Sequence, residues 1–274
     1  MNNLLSEEPK CAGEMPAESS GPVVVFDRVS IAFGSNAVLK DVSFHVGRGQ
    51  TLCILGRSGV GKSVSLRLLM GFLKPDAGNI YFEGQRINDL TEEEMRPIRE
   101  RITMVFQNGA LFDSLTVREN IAFPLREREG MTDEDAIQAR VDHLLKLVGA
   151  EDTERSLPSS LSTGRKRAVA IARALAGKPE MVLYDEPTTM VDPIISKRMG
   201  LLIDKLKNQF GLTSIVVTHD VRFAERLADL VLFLHQGEAL YFGPLEGFLQ
   251  SADPNIRQFQ ALDEYELPLV QTPR

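Results

Sequence analysis

The run Gly56-Arg57-Ser58-Gly59-Val60-Gly61-Lys62-Ser63 constrains this chain most, because it matches the pattern GxxxxGK[ST]. It follows the apolar, β-prone run Thr51–Leu55 and opens a helical stretch over Gly61–Gly71, the context a phosphate-binding loop requires. Glycines let the backbone wrap an anion with successive N–H groups turned inward. Lys62 can then reach β- and γ-phosphates, and Ser63 offers a hydroxyl to Mg²⁺. Average residue frequencies make a chance match on the order of one in a hundred for a chain this long, and the strand before and helix after reduce that further. Nucleotide binding is the expectation.

A second motif fits the first. Met181-Val182-Leu183-Tyr184-Asp185-Glu186 is an apolar strand ending in two carboxylates. Alone, such a strand is often only a solvated turn. Beside a phosphate loop, Asp185 is expected in the magnesium shell, and Glu186 is expected to orient or deprotonate an attacking water.

Composition narrows the setting. With 43% apolar and 25% charged residues and a net charge of −7, the chain reads as globular and carries no electrostatic footprint for nucleic acid. Its longest apolar runs, such as Leu230–Leu234, fall far short of the roughly 18 residues a membrane span needs. Cys11 and Cys53 lack CxxC spacing, so neither a disulfide framework nor a zinc site is expected, and Cys53 reads as a small core hydrophobe. MNNLLSEEPK has no basic or apolar leader region, and the expected compartment is cytoplasmic.

Strands are expected at Val23–Val29, Val42–Val46, Thr51–Leu55, Asn79–Phe82, Ile102–Phe106, Met181–Tyr184, Ser214–Thr218 and Leu230–Leu234. Helices are expected near Gly61–Gly71, Ser162–Ala176, Pro193–Phe210 and Val221–Ala228. This alternation indicates a mainly parallel α/β sheet covered on both faces. Residues 1–21 read as a flexible tail, residues 22–250 as the folded unit, and about 90–160 as an inserted, mostly helical subdomain. Within the insert, Thr132 precedes Asp135 in a capping-box-like start to a helix that runs to Val148 and stops at Gly149.

Between the two motifs, Leu161-Ser162-Thr163-Gly164-Arg165 opens a strongly helical segment. Here the sequence resembles the ATP-binding-cassette (ABC) ATPases, whose signature LSGGQ stands at a helix start. The resemblance covers roughly residues 23–245, and it implies a P-loop NTPase fold with a RecA-like core, an antiparallel β subdomain and an α-helical subdomain. It also implies ATP and Mg²⁺ as cofactors. Phe33 stands where the family stacks an aromatic on adenine. Gln107 stands at the glutamine that joins nucleotide to the helical subdomain and, with Ser63 and Asp185, serves the metal. Asp192 matches the aspartate after the DEPT segment, and His219 matches the γ-phosphate histidine; His45, His143 and His235 read as ordinary packed or turn residues. Ser162, Thr163 and Gly164 are expected to close over ATP held by a second copy, since a helix N-terminus attracts phosphate. One copy of each motif implies a homodimer with two composite sites.

Two departures stand out. Thr163 replaces the first glycine of the usual pair, either as a tolerated surface change or as a brake on closure and hydrolysis. Met190 and Val191 replace more usual residues ahead of Asp192. The segments 107–117 and 119–125, reading QNGALFDSLTV and ENIAFPL, are similar to those of the Mla/Mce-type lipid-transport ATPases. That resemblance implies transmembrane permease subunits on the cytoplasmic face of the inner membrane, a lipid-binding Mce-type protein beyond it, and in some systems a small cytoplasmic regulator. Leu111, Phe112 and Leu115 read either as subdomain core or as part of a permease-docking groove. Competing readings are an importer ATPase for a small polar solute, a membrane-signalling ABC ATPase that moves no cargo, and a non-transport ABC protein of DNA repair or translation. The last usually carries a coiled-coil insertion or a second cassette, which this sequence lacks. Residues 251–274 carry apolar anchors at Phe259, Leu262, Tyr265 and Leu267, and are expected either to pack on their own subunit or to embrace the neighbour.

Overall fold

The computed structural model describes residues 21–264. Cys11 and nearly all of the expected N-terminal tail lie outside that range, as do Tyr265 and Leu267. Two sheets form the frame. Strands β1 (Val24–Phe33), β2 (Asn36–Val46), β4 (Ala77–Phe82) and β5 (Gln85–Arg86) make an antiparallel sheet in the order β2-β1-β4-β5. Strands β3 (Thr51–Leu55), β6 (Ile102–Val105), β7 (Met181–Asp185), β8 (Thr213–Thr218), β9 (Leu230–His235) and β10 (Glu238–Pro244) make a second sheet in the order β10-β9-β3-β8-β7-β6. Its pairings are parallel except at the edge, where β10 runs antiparallel to β9.

The six-stranded sheet divides two cores, and the two-residue period of a strand assigns side chains to each. Cys53, Leu55, Val182, Tyr184, Val216, Val231 and Phe233 face one core. That core is closed by helices α3 (Val117–Glu127), α4 (Glu134–Val148), α5 (Thr163–Ala176), α6 (Pro193–Phe210) and α7 (Val221–Ala224). Their neighbours Leu52, Ile54, Met181, Leu183, Ile215, Leu232 and Leu234 face the other core, shared with the antiparallel sheet, α1 (Lys62–Leu69) and α2 (Glu92–Arg101). Strands buried on both faces explain why their sequences are nearly unbroken apolar runs. Cys53 is fully buried, and burial pushes its thiol pKa far up, so it behaves as a hydrophobe.

Several boundaries differ from the sequence expectation. β1 extends through Phe33 and β2 starts at Asn36, because a tight hairpin pairs Phe33 with Asn36 across Gly34 and Ser35. Polar residues on the outer face, such as Lys40 and Asp41, mask that extension in the hydropathy pattern. Helix α4 is capped by Asp133, whose carboxylate accepts from Asp135 N and Ala136 N, rather than by Thr132; Gly149 ends it in the left-handed conformation as expected. The T-x-x-E pattern instead forms two full capping boxes elsewhere, Thr91/Glu94 on α2 and Thr116/Glu119 on α3. Helix α7 is shorter than expected: beyond Ala224 the chain tightens, with Leu227 N donating to Ala224 O. Residues 90–105 contribute Met95, Ile98 and Ile102 to the sheet-bound core, so the wholly helical group begins at Val117.

After α8 (Leu245–Leu249), helix α9 (Pro254–Glu264) lies on its own chain. Ile256 and Phe259 are buried, and the Phe259 ring sits 4.9 Å from that of Phe233.

Candidate active site

The phosphate loop lies at the C-terminal end of β3, and two of its glycines are there for steric reasons. A Cβ on Gly56 (φ 151°) would come within 2.5 Å of Leu234 O, and one on Gly61 (φ 107°) within 2.7 Å of Leu39 Cδ2. Both positions also demand a backbone conformation costly for other residues. The loop delivers Lys62 and Ser63 into the first turn of α1, beside the ends of β7 and β8.

These ends converge on Glu186. Its Oε1 lies 3.2 Å from Lys62 Nζ, while Oε2 is 2.8 Å from His219 Nδ1 and accepts from Thr189 Oγ1 at 3.0 Å. Lys62 is 4% exposed, and Nζ also donates to Gly56 O (2.8 Å) and Arg57 O (3.2 Å). Burial pushes the Glu186 carboxyl up, but the His219 hydrogen bond and the Lys62 charge outweigh it and hold it below the usual carboxylate range. The same hydrogen bond raises His219 against partial burial. Asp185 behaves differently: burial, with the neighbouring Glu186 charge, raises it despite the 2.6 Å bond donated by Ser63 Oγ to its Oδ1. Two adjacent carboxyls are thus shifted in opposite directions, Glu186 down and Asp185 up.

A cavity of about 400 Å³ opens over this cluster, lined by Phe33, Ser58, Gly59, Lys62, Ser63, Gln107, Glu186 and His219 among others. It is large enough for a nucleotide. Phe33 lines its edge and is 49% exposed. The Ser63–Asp185 pair offers hard oxygen donors suited to Mg²⁺, which needs few protein ligands when phosphates supply the rest. Most of the residues singled out from sequence are therefore together. Ser162 and Gly164 are not. They line a separate cavity of about 310 Å³ with Arg198 and Met199, and Asp192 N-caps α6 by accepting from Ile195 N at 2.9 Å. Thr163 begins α5 with an exposed side chain, and Ser162 caps that helix by accepting from Arg165 N. Met190 is 90% exposed and adopts φ 61°, an uncommon conformation for a non-glycine residue.

Two arginines went unnoticed in the sequence. Arg173 on α5 donates to Ala110 O (2.8 Å) and Gly109 O (3.2 Å), holding the turn that follows Gln107. Buried Arg167, two turns earlier, donates to Pro187 O and Thr189 O. Both lie in a helical, apolar-looking run, and only the fold reveals what they grip.

A family model described as ABC transporter matches residues 39–189. The chain belongs to the ABC transporter family. The methionine import ATP-binding protein MetN of Brucella abortus is 39% identical over 258 residues, covering 94% of this chain and 69% of MetN. The intermembrane phospholipid transport system ATP-binding protein MlaF of Escherichia coli is 35% identical over 231 residues, covering 84% of this chain and 86% of MlaF. Among solved structures, cbiO1 of Clostridium perfringens superposes with a TM-score of 0.77 at 30% identity, covering 84% of this chain and 91% of cbiO1. The dimeric post-hydrolysis cassette MJ0796 bound to ADP and Pi gives 0.74 at 32% identity, covering 81% and 98%. This cassette is accordingly an ATP-hydrolysing subunit that uses ATP with Mg²⁺, of a kind that dimerises and pairs with transmembrane permease subunits. Among the described residues, no helix is long and apolar enough to cross a membrane.

Proposed function

We propose that this cassette powers a lipid transporter, with Glu186 as the general base of ATP hydrolysis. The observation that carries the chemistry is the triple hold on Glu186 by Lys62, His219 and Thr189 inside the phosphate pocket. A carboxylate kept ionised there can take a proton from water as the water oxygen bonds to the γ-phosphorus and the bridging P–O bond breaks, leaving ADP and phosphate. Lys62 binds the β- and γ-phosphates, and His219 contacts the γ-phosphate. Ser63, Asp185 and Gln107 would hold Mg²⁺, which when bound would supply positive charge against the phosphate oxygens. Phe33 stacks on adenine. Ser162, Thr163 and Gly164 close over the nucleotide of a second copy, and Asp192 lies at that junction; their distance from their own pocket supports this.

The lipid reading rests on residues 107–125. Phe112 and Phe123 are exposed, their rings 4.9 Å apart, and Arg173 lies over Phe112. An aromatic pair beside the Gln107 turn suits an apolar permease helix, and the likeness to MlaF supports phospholipid as cargo. In this reading the complex sits on the cytoplasmic face of the inner membrane, with an Mce-type lipid-binding protein beyond and a small regulator on the ATPase. A second reading, import of a small polar solute such as methionine, is favoured by the 39% identity with MetN. The native complex, solubilised in detergent and analysed by mass spectrometry, should yield a permease, an Mce-type protein and bound phospholipid. In proteoliposomes, ATP should move labelled phospholipid, and Glu186→Gln should abolish that movement. Equal lipid movement by the variant overturns the coupling, and stimulation of ATPase by methionine alone overturns the cargo.

A further inference from the structure

The segment after Glu186 is held in an unfavourable shape. Glu186 has φ 50° and Met190 φ 61°, so two non-glycine residues in the left-handed region bracket Pro187, Thr188 and Thr189. Such conformations persist only where their surroundings over-determine them. Backbone bonds from Glu186 N to Val217 O (2.9 Å) and from Thr189 N to Glu186 O (3.3 Å) hold the segment's ends, and one side chain grips its middle. Arg167 sends Nη1 to Pro187 O and Nη2 to Thr189 O, a planar fork matched to two carbonyls of one turn. Thr189 in turn donates to Glu186 Oε2. Arg167 is 5% exposed, forms no ion pair among the described residues, and leaves its Nε without a hydrogen-bond partner. A buried cation in that state is a costly way to hold a turn for stability alone. The same helix meets the start of α6 closely, since a Cβ on Gly164 would lie 3.0 Å from Ile195 Cγ2.

We infer that Arg167 is a positioning residue: through the turn 187–189 it fixes the Glu186 carboxylate to the helix that begins with Ser162. Whatever engages the N-terminus of α5 is thereby registered at the hydrolytic carboxylate of the same chain. The inference rests on Glu186 being the base.

The test uses the full-length protein and its Arg167→Lys, Arg167→Gln, Thr189→Val and Arg167→Gln/Thr189→Val variants. ATP affinity in all four should stay within about threefold of wild type, because Lys62 and the loop amides are untouched. In Arg167→Gln, kcat should fall at least tenfold. Arg167→Lys should not restore it, since an ammonium lacks the fork. The double variant should be no slower than Arg167→Gln alone, because both changes cut one chain of contacts. Circular dichroism and thermal melting identify any variant that fails to fold, in which case Arg167→Lys and Thr189→Val carry the test. A folded Arg167→Gln or Arg167→Lys with kcat within twofold of wild type overturns the inference, as do losses from Arg167 and Thr189 that simply multiply. Glu186→Gln separates the two levels: if it retains turnover, the base assignment has failed; if it is inactive while Arg167 variants are normal, only the positioning role has failed.

Discussion

At the scale of single residues, the Glu186–His219 contact makes the site's pH response predictable. The Glu186 carboxyl is depressed and the His219 imidazole raised. The carboxylate's contribution to stability is present above the ordinary Glu value and lost as pH falls through the depressed one. The imidazolium's contribution is complete below the ordinary His value and lost as pH rises through the raised one. Their attraction is therefore strongest between about pH 4.3 and 6.5. His219→Ala should lower the melting temperature more at pH 6 than at pH 9, as read by calorimetry at both values. An equal loss at both would assign the effect to packing. Thr163 offers a second test. Its side chain is exposed, so Thr163→Gly should cost less than about 1 kcal/mol while raising ATP turnover at saturating ATP. Unchanged or slower turnover would leave the threonine as a tolerated surface change.

Among the elements, legibility in the sequence tracked how local the signal was. The phosphate loop and the strand ending in Asp185 and Glu186 could be read because their chemistry is contiguous. So could α6, whose expected and observed spans coincide at Pro193–Phe210, with Asp192 and Gly211 as caps. Arg167 and Arg173 could not be read, because their partners are backbone carbonyls about 20 and 60 residues away with no sequence signature. Asn120 is a similar case. Fully buried on α3, it accepts from Phe112 N (2.8 Å) and donates to Phe112 O, Leu115 O and Thr116 O. One amide thus pins the loop that displays Phe112. Asn120→Leu removes the side-chain partner of Phe112 N and Leu115 O, and should cost about 1–3 kcal/mol by urea denaturation. Phe112 should also become more mobile, which a solvent-sensitive label at that position would register.

For the whole molecule, the two sheets must move as one body if nucleotide held against the antiparallel sheet by Phe33 is to be read by Glu186 on the parallel one. Beyond the shared core, an ion cluster helps to join them. Glu180, just before β7, accepts from Arg101 (Nε 2.6 Å, Nη2 2.9 Å) and from Arg48 Nη1 (3.0 Å). Both arginines also pair with Glu83 in the turn between β4 and β5. The Arg101 hydrogen bond, aided by Arg48 and opposed by partial burial, holds the Glu180 carboxyl at about 2. A depressed carboxyl contributes stability above its ordinary value and loses it as pH falls toward the depressed one. Because Glu180 is 43% exposed, solvent screening limits the contribution to about 1 kcal/mol. Glu180→Gln should therefore lower unfolding free energy by about that much at pH 7 in low salt, and by about half as much near pH 3.5. The difference should also shrink in high salt, since the cluster faces solvent. A deficit unchanged by both pH and salt would mean that Glu180 holds the sheets by shape rather than by charge.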